Sequence, residues 1–77
     1  MEDKILAEIP AGRDVVRLVC SEFKGKPNIS LRRYYLKDDD WAPTQKGITI
    51  HDKDHLDTIR DAFLENYETM VTHLLDG

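Results

Sequence analysis

A single cysteine in a chain of 77 residues decides how this protein can be held together. A domain this short buries a smaller fraction of its surface than a larger one, so its own core gives limited stability. Disulfides, structural metals and oligomerisation are the usual remedies. Cys20 has no second cysteine to bridge to, and no cysteine pair can hold a zinc ion. Oligomerisation remains, and the sequence predicts it. The lone thiol, set in an apolar stretch without a basic neighbour, reads as buried and inert, and it suits a reducing compartment.

No apolar run approaches the length of a membrane span, and the start Met1-Glu2-Asp3-Lys4 is acidic without a hydrophobic signal region. A soluble, intracellular protein without a membrane partner is expected. The net charge of -4 argues at first against a polyanionic ligand. Its distribution argues the other way. Arg13 to Lys37 carries +5, and Asp52 to Gly77 carries -5. Local potential, not the total, decides where a polyanion binds.

Short apolar runs between turn residues predict strands. Ile5 to Ile9, ended by Pro10, reads as an edge strand or an arm within residues 1–12. Val15 to Cys20 is rich in β-branched residues, and its even positions, Val16, Leu18 and Cys20, are uniformly apolar and expected to face the core. Lys24 to Asn28 reads as a tight turn. Ile29 to Leu36 is a second strong strand, with Ile29 and Leu31 on one face and Ser30, Arg32 and Tyr34 on the other. Period two would put Arg33 and Tyr35 on the apolar side, so the strand either outruns the core or carries a bulge. Lys37 to Gln45 reads as a polar loop containing Trp41, and Lys46 to His51 as a further strand.

Residues 52–76 read as one helix. Asp52 or its neighbour caps it, and Leu56, Ile59, Phe63, Met70 and Leu74 recur at helical spacings with Ala62 and Tyr67 alongside. At 1.5 Å per residue it would span roughly 35 Å, long for a sheet of short strands. Its far end (Tyr67, Met70, Val71, Leu74) therefore needs another surface, and a second copy of the chain is the simplest. The fold class is α+β: a single domain over residues 1–77, with a curved four-stranded antiparallel sheet over 15–51 plus the N-terminal strand, one long C-terminal helix (β-β-β-β-α), and a dimeric assembly.

Basic side chains interleave with aromatics in Phe23-Lys24-Gly25-Lys26, in Ile29 to Tyr35, and in Gln45-Lys46-Gly47. Single-strand binders need that pairing, cations for phosphates and flat rings for bases. The plain alternative is solvated lysines and core aromatics, with Phe23 plugging one end of the sheet. His51 and His55 lie four apart with acids between them, but the sequence places no third ligand. No metal site, cofactor or catalytic array is expected. Asp38-Asp39-Asp40 reads as a solvated loop.

Phe23-Lys24-Gly25-Lys26, then Ile29-x-Leu31-Arg32-x-Tyr34-Tyr35, then Lys46-Gly47-Ile48-Thr49-Ile50 leading into an amphipathic helix, resemble the C-terminal domain of the transcriptional positive coactivators (positive cofactor four), related in fold to the plant Whirly proteins. The resemblance runs from about Val15 to the end of the helix. It implies a homodimer with two basic, aromatic-lined channels for single-stranded DNA and helices packed between the chains. It places base stacking on Phe23, phosphate contacts on Lys24 and Lys26, and a channel arginine at Arg32. Tyr35 stands where the family typically has tryptophan, and Gln45-Lys46 where it has a basic pair. Trp41 has no clear family counterpart; it either supplies the missing stacking surface or packs locally.

The expected channel is thus Arg17, Phe23, Lys24, Lys26, Arg32, Tyr35 and Lys46, with Arg33, Trp41 and Gln45 secondary. A stand-alone binding domain of this kind suits a bacterium or a virus of bacteria, in the cytoplasm or nucleoid, or the nucleus if the source is eukaryotic. Transcription, replication and recombination are all open, with polymerase or replication proteins as further partners. Three rivals remain: a protein-interaction adaptor, a metal-dependent nuclease, and an RNA binder.

Overall fold

Three two-residue turns shape the chain. The computed structural model describes residues 3–77, and its elements are β1 (Lys4–Ala11), β2 (Asp14–Phe23), β3 (Lys26–Lys37), β4 (Asp40–Ile50) and α1 (Lys53–Asp76). The strands pair antiparallel in the order β1-β2-β3-β4. Gly12, at φ 68°, opens the first turn. Lys24 and Gly25, at 52° and 79°, form the second, and Asp38 and Asp39, at 52° and 66°, the third. Positive φ at both central residues is the pattern of a type I′ turn, whose twist matches that of the flanking strands. Aspartate tolerates this region better than most non-glycine residues.

These turns move several boundaries. The expected loop over Lys37 to Gln45 is a hairpin tip of two residues, and Trp41 lies within β4, paired with Leu36. The strand predicted from Lys46 to His51 is β4, and it begins at Asp40. Lys26 to Asn28 belong to β3 and not to the preceding turn. Pro10 does not end β1 but sits within it, paired with Val15. An edge strand leaves that position free of the ladder hydrogen bond that proline cannot donate. The N-terminal segment joins its own chain's sheet, with an irregularity between Ile5 and Ala7.

The sheet has two chemically different faces. Ile9, Val16, Leu18, Ile29, Leu31 and Ile48 share one of them by register. Arg17, Val19, Ser30, Arg32, Tyr34 and Thr49 share the other. Burial corrects the expectation that the even positions of β2 face the core. Val15 and Val19, at odd positions, are the buried ones, with Val19 only 2% exposed, while Val16, Leu18 and Cys20 stay half-buried. No second layer covers the odd face. Val15, Val19 and Ser30 are the buried residues of this face.

The sheet bends where β4 gains residues. Arg32 pairs with Gly47 and Tyr34 with Pro43, so Thr44, Gln45 and Lys46 bulge opposite the single Arg33. The bulge is internally bonded: Thr44 Oγ1 donates to the Arg33 carbonyl at 2.7 Å and accepts from the Lys46 amide at 3.1 Å. The bulge lies in β4 and not in the strand that carries Arg33: β3 keeps period two, so Arg33 and Tyr35 retain the parity of the apolar face. Gly47 is the contact point of this bend. A Cβ there would lie 2.5 Å from the Leu31 carbonyl oxygen and 2.7 Å from Arg32 Cα.

Helix α1 follows β4 almost directly. Asp52 is its N-cap, its carboxylate accepting the His55 amide at 2.7 Å, and Gly77 its C-cap. The expected boundaries hold, but the helix does not back its own sheet. None of its residues is buried, and Phe63, Tyr67 and Leu74 are 56%, 59% and 78% exposed. Only its first turn meets the sheet, where Leu56 faces Cys20, Ile29 and Ile50 across a hollow of about 330 Å³. The radius of gyration, 14.6 Å, exceeds the roughly 11.5 Å of a compact chain this long.

Two substitutions test this reading. Gly47→Ala forces a methyl group against backbone and is expected to cost about 1–3 kcal/mol in urea unfolding. Asp52→Ala removes the helix cap and is expected to cost about 0.5–2 kcal/mol, read as a lower melting midpoint of the helical circular-dichroism signal.

Candidate nucleic-acid interface

The concave face carries a groove of about 460 Å³. Its floor is polar and hydrogen-bonding: Ser21, Asn28, Ser30 and Thr49. Phe23 lines one end, and Tyr34 with Pro43 the other. Alternation along β2 and β3 puts these side chains on one face, and the curl gathers them.

Arg17 and Arg32 stand directly opposite each other across β2 and β3 on this face. Like charges in that relation repel. The two are handled differently. Arg17 Nε donates to Glu8 Oε2 on β1 at 2.7 Å, and its guanidinium carbon lies 5.0 Å from the Tyr34 ring centroid and 6.0 Å from that of Trp41. Its side chain is only 16% exposed. Arg32 reaches over Gly47 and donates to the Thr44 carbonyl at 3.0 Å and to Thr49 Oγ1 at 2.9 Å. Both acceptors are neutral, and among the described residues no carboxylate pairs with it. Arg32 is thus a part-buried, oriented cation whose charge is left uncompensated in the groove.

Phe23 ends β2 and is 68% exposed. Lys24 Nζ lies 5.5 Å from its ring centroid, and Lys26 is its directly paired neighbour on β3. An exposed ring flanked by two cations offers a π-face beside phosphate partners. Acidic groups also border the groove: Asp3 and Glu22 line the Phe23 end.

The expected residues do not all gather in one place. Arg17, Phe23, Lys26, Arg32 and Trp41 share the concave face by register, and Lys24 sits in the turn beside it. Gln45 and Lys46 are exposed on the bulge. Tyr35 has the parity of the apolar face, opposite to Arg32. Arg33 shares that parity and is engaged: its Nε donates to Asp14 Oδ2 at 2.7 Å and its Nη2 to the Ala11 carbonyl at 2.9 Å, tying β3 to the first turn. Period two placed Tyr34 on the Arg32 face, as the structure does, but sequence reasoning did not assign Tyr34, Thr49 or Glu8 to the site. Thr49 and Glu8 depend on cross-strand register, which leaves no local signal. Among the described residues no cluster of three or more His, Cys, Asp or Glu side chains is placed to hold a metal ion, and no helix is long and apolar enough to cross a membrane.

Comparison with known proteins follows this geometry closely. A solved structure of a bacteriophage T5 homolog of the eukaryotic transcription coactivator PC4, implicated in recombination-dependent DNA replication, superposes with a TM-score of 0.74 at 25% identity, covering 99% of this chain and 90% of that one. A PC4 homolog from Burkholderia pseudomallei shares the fold with a TM-score of 0.66 at 21% identity, over 84% of this chain and 98% of that one. The RNA polymerase II transcriptional coactivator KELP of Arabidopsis thaliana is 48% identical over 40 residues, which are 52% of this chain and 24% of that protein. The chain thus matches about a quarter of its curated relative's length. Residues 13–61, from the first turn into the helix, match the family model of Transcriptional Coactivator p15 (PC4), and the chain belongs to that family.

Proposed function

We propose that this protein binds single-stranded DNA as a homodimer, without sequence preference and without catalysis, through the concave face of its sheet. The observation that carries the reading is the pairing of an uncompensated cation with an exposed ring on one groove. Arg32 is oriented by two neutral oxygens, and Phe23 stands 68% exposed between Lys24 and Lys26. Single strands differ from duplexes in presenting free base faces, and this groove offers a ring for a base and cations for the adjoining phosphates. Lys46 on the bulge extends the basic track. The T5 relative's part in recombination-dependent replication, and the coactivator role in KELP's name, support a place in replication or transcription.

The dimer is proposed from surface that the single chain leaves uncovered. Ile48 is 47% exposed on the apolar face of the sheet, and Phe63, Tyr67 and Leu74 are more than half exposed on the helix. Burial of such surface stabilises by about 25 cal/mol per Å², enough to complete a domain whose own core holds few fully buried side chains. Tyr67, Met70, Val71 and Leu74 are the residues assigned to that contact.

Fluorescence anisotropy with an oligo-dT of about 20 nucleotides, across a salt series and beside a duplex control, tests the ligand. Tighter binding to the single strand is expected. Phe23→Ala should weaken it by about 1–3 kcal/mol, and Arg32→Ala should lower the salt slope by about one. Absence of binding at low salt would overturn the reading. Analytical ultracentrifugation tests the assembly: the wild type should sediment as a dimer, and Tyr67→Asp/Leu74→Asp should shift it to monomer.

A further inference from the structure

We infer that Trp41 and Tyr34 form a second base-stacking platform, held in place by Arg17 acting as a clamp and not as a phosphate ligand. The inference rests on the DNA-binding reading above and assigns roles within that groove. Three observations carry it. Tyr35 has the parity of the apolar face, so it does not share the groove with Arg32. Trp41, drawn into β4 by the turn at Asp38 and Asp39, pairs with Leu36 and takes the parity of Tyr34 and Arg32. The Arg17 guanidinium lies over both the Tyr34 and Trp41 rings, 5.0 and 6.0 Å from their centroids, while Nε holds Glu8 at 2.7 Å.

A guanidinium in that position has its charge paired within the protein and one of its five N–H donors, Nε, committed. Glu8 neutralises it, and its side chain is 16% exposed. Its plane can order the two rings by cation–π attraction. Tyr34 and Trp41 both stay half-buried, not sealed. The platform lies at the far end of the groove from Phe23. Eight residues of β2 separate Phe23 from Val15, the partner of Tyr34, a span of roughly 27 Å at ~3.4 Å per residue. A strand running along the concave face would meet a ring at each end and the Arg32 cation between them.

Trp41 is the chain's single tryptophan, so its fluorescence reports on this platform alone. Titration of the full chain with oligo-dT of about 20 nucleotides should quench that emission. Trp41→Ala should weaken binding about tenfold or more, and Trp41→Phe, which keeps a ring, distinctly less. Arg17→Met should weaken binding and reduce the quenching in an Arg17→Met/wild-type comparison, yet leave the slope of log K against log salt unchanged. A phosphate ligand would lower that slope by about one when removed. Binding that depends on Phe23 and Arg32 but leaves Trp41 emission unchanged, with wild-type affinity in Trp41→Ala, would overturn the platform and leave the DNA reading standing. A slope lower by about one in Arg17→Met would overturn the clamp. No binding by the wild type would overturn both. The quenching readout needs no substitution, so it tests the platform even if a variant fails to fold.

Discussion

Two guanidinium groups on directly paired residues set the terms for the concave face. Arg17 and Arg32 cannot both point into one shallow groove as bare charges without mutual repulsion. The neighbouring strands resolve the conflict from opposite sides. β1 brings Glu8 to Arg17, and β4 brings Thr44 and Thr49 to Arg32. Glycine at position 47 is what lets β4 pass close enough for that, and the bulge at Thr44 to Lys46 turns the strand so that both acceptors reach the same guanidinium. The outer strands are therefore more than sheet extensions. One neutralises a charge and the other keeps a charge available.

The two faces of the sheet divide the work of the chain. The polar face carries the groove and buries Val15 and Val19. The apolar face is covered only at one end, where Leu56 meets Cys20, Ile29 and Ile50, and the rest of the helix keeps its apolar side exposed. A chain of 77 residues cannot do both with a single layer. The candidate groove lies on the sheet of one chain, whereas the apolar face awaits a second chain in the proposed dimer.

Much of this was legible in the sequence because periodicity is local. β-branched alternation marked β2 and the core of β3, and the acidic cap followed by apolar residues three and four apart marked α1 nearly to the residue. The resemblance in Phe23 to Lys26 and in Lys46 to Ile50 pointed to the family to which the chain belongs. What was not legible depends on geometry that sequence encodes ambiguously. Three consecutive aspartates read as a solvated loop, but two of them adopt positive φ and the third starts β4, which carries Trp41 into the sheet. Apolar even positions of β2 read as core, but in the single chain they stay half-buried while Val15 and Val19 on the other face are buried. The partners of Arg17 and Arg32 come from strands nine to seventeen residues away, beyond any local pattern.

The three two-residue turns have a kinetic consequence. Every strand pairs only with its neighbour in sequence, so the sheet is a plain meander. Such a topology closes short loops, one hairpin at a time, and avoids the long-range searches that slow most β-proteins. Strand pairing can then proceed within one chain at a rate indifferent to protein concentration. In the proposed dimer, concentration enters where the apolar faces of two sheets meet, so assembly adds a bimolecular step to the unimolecular pairing of strands.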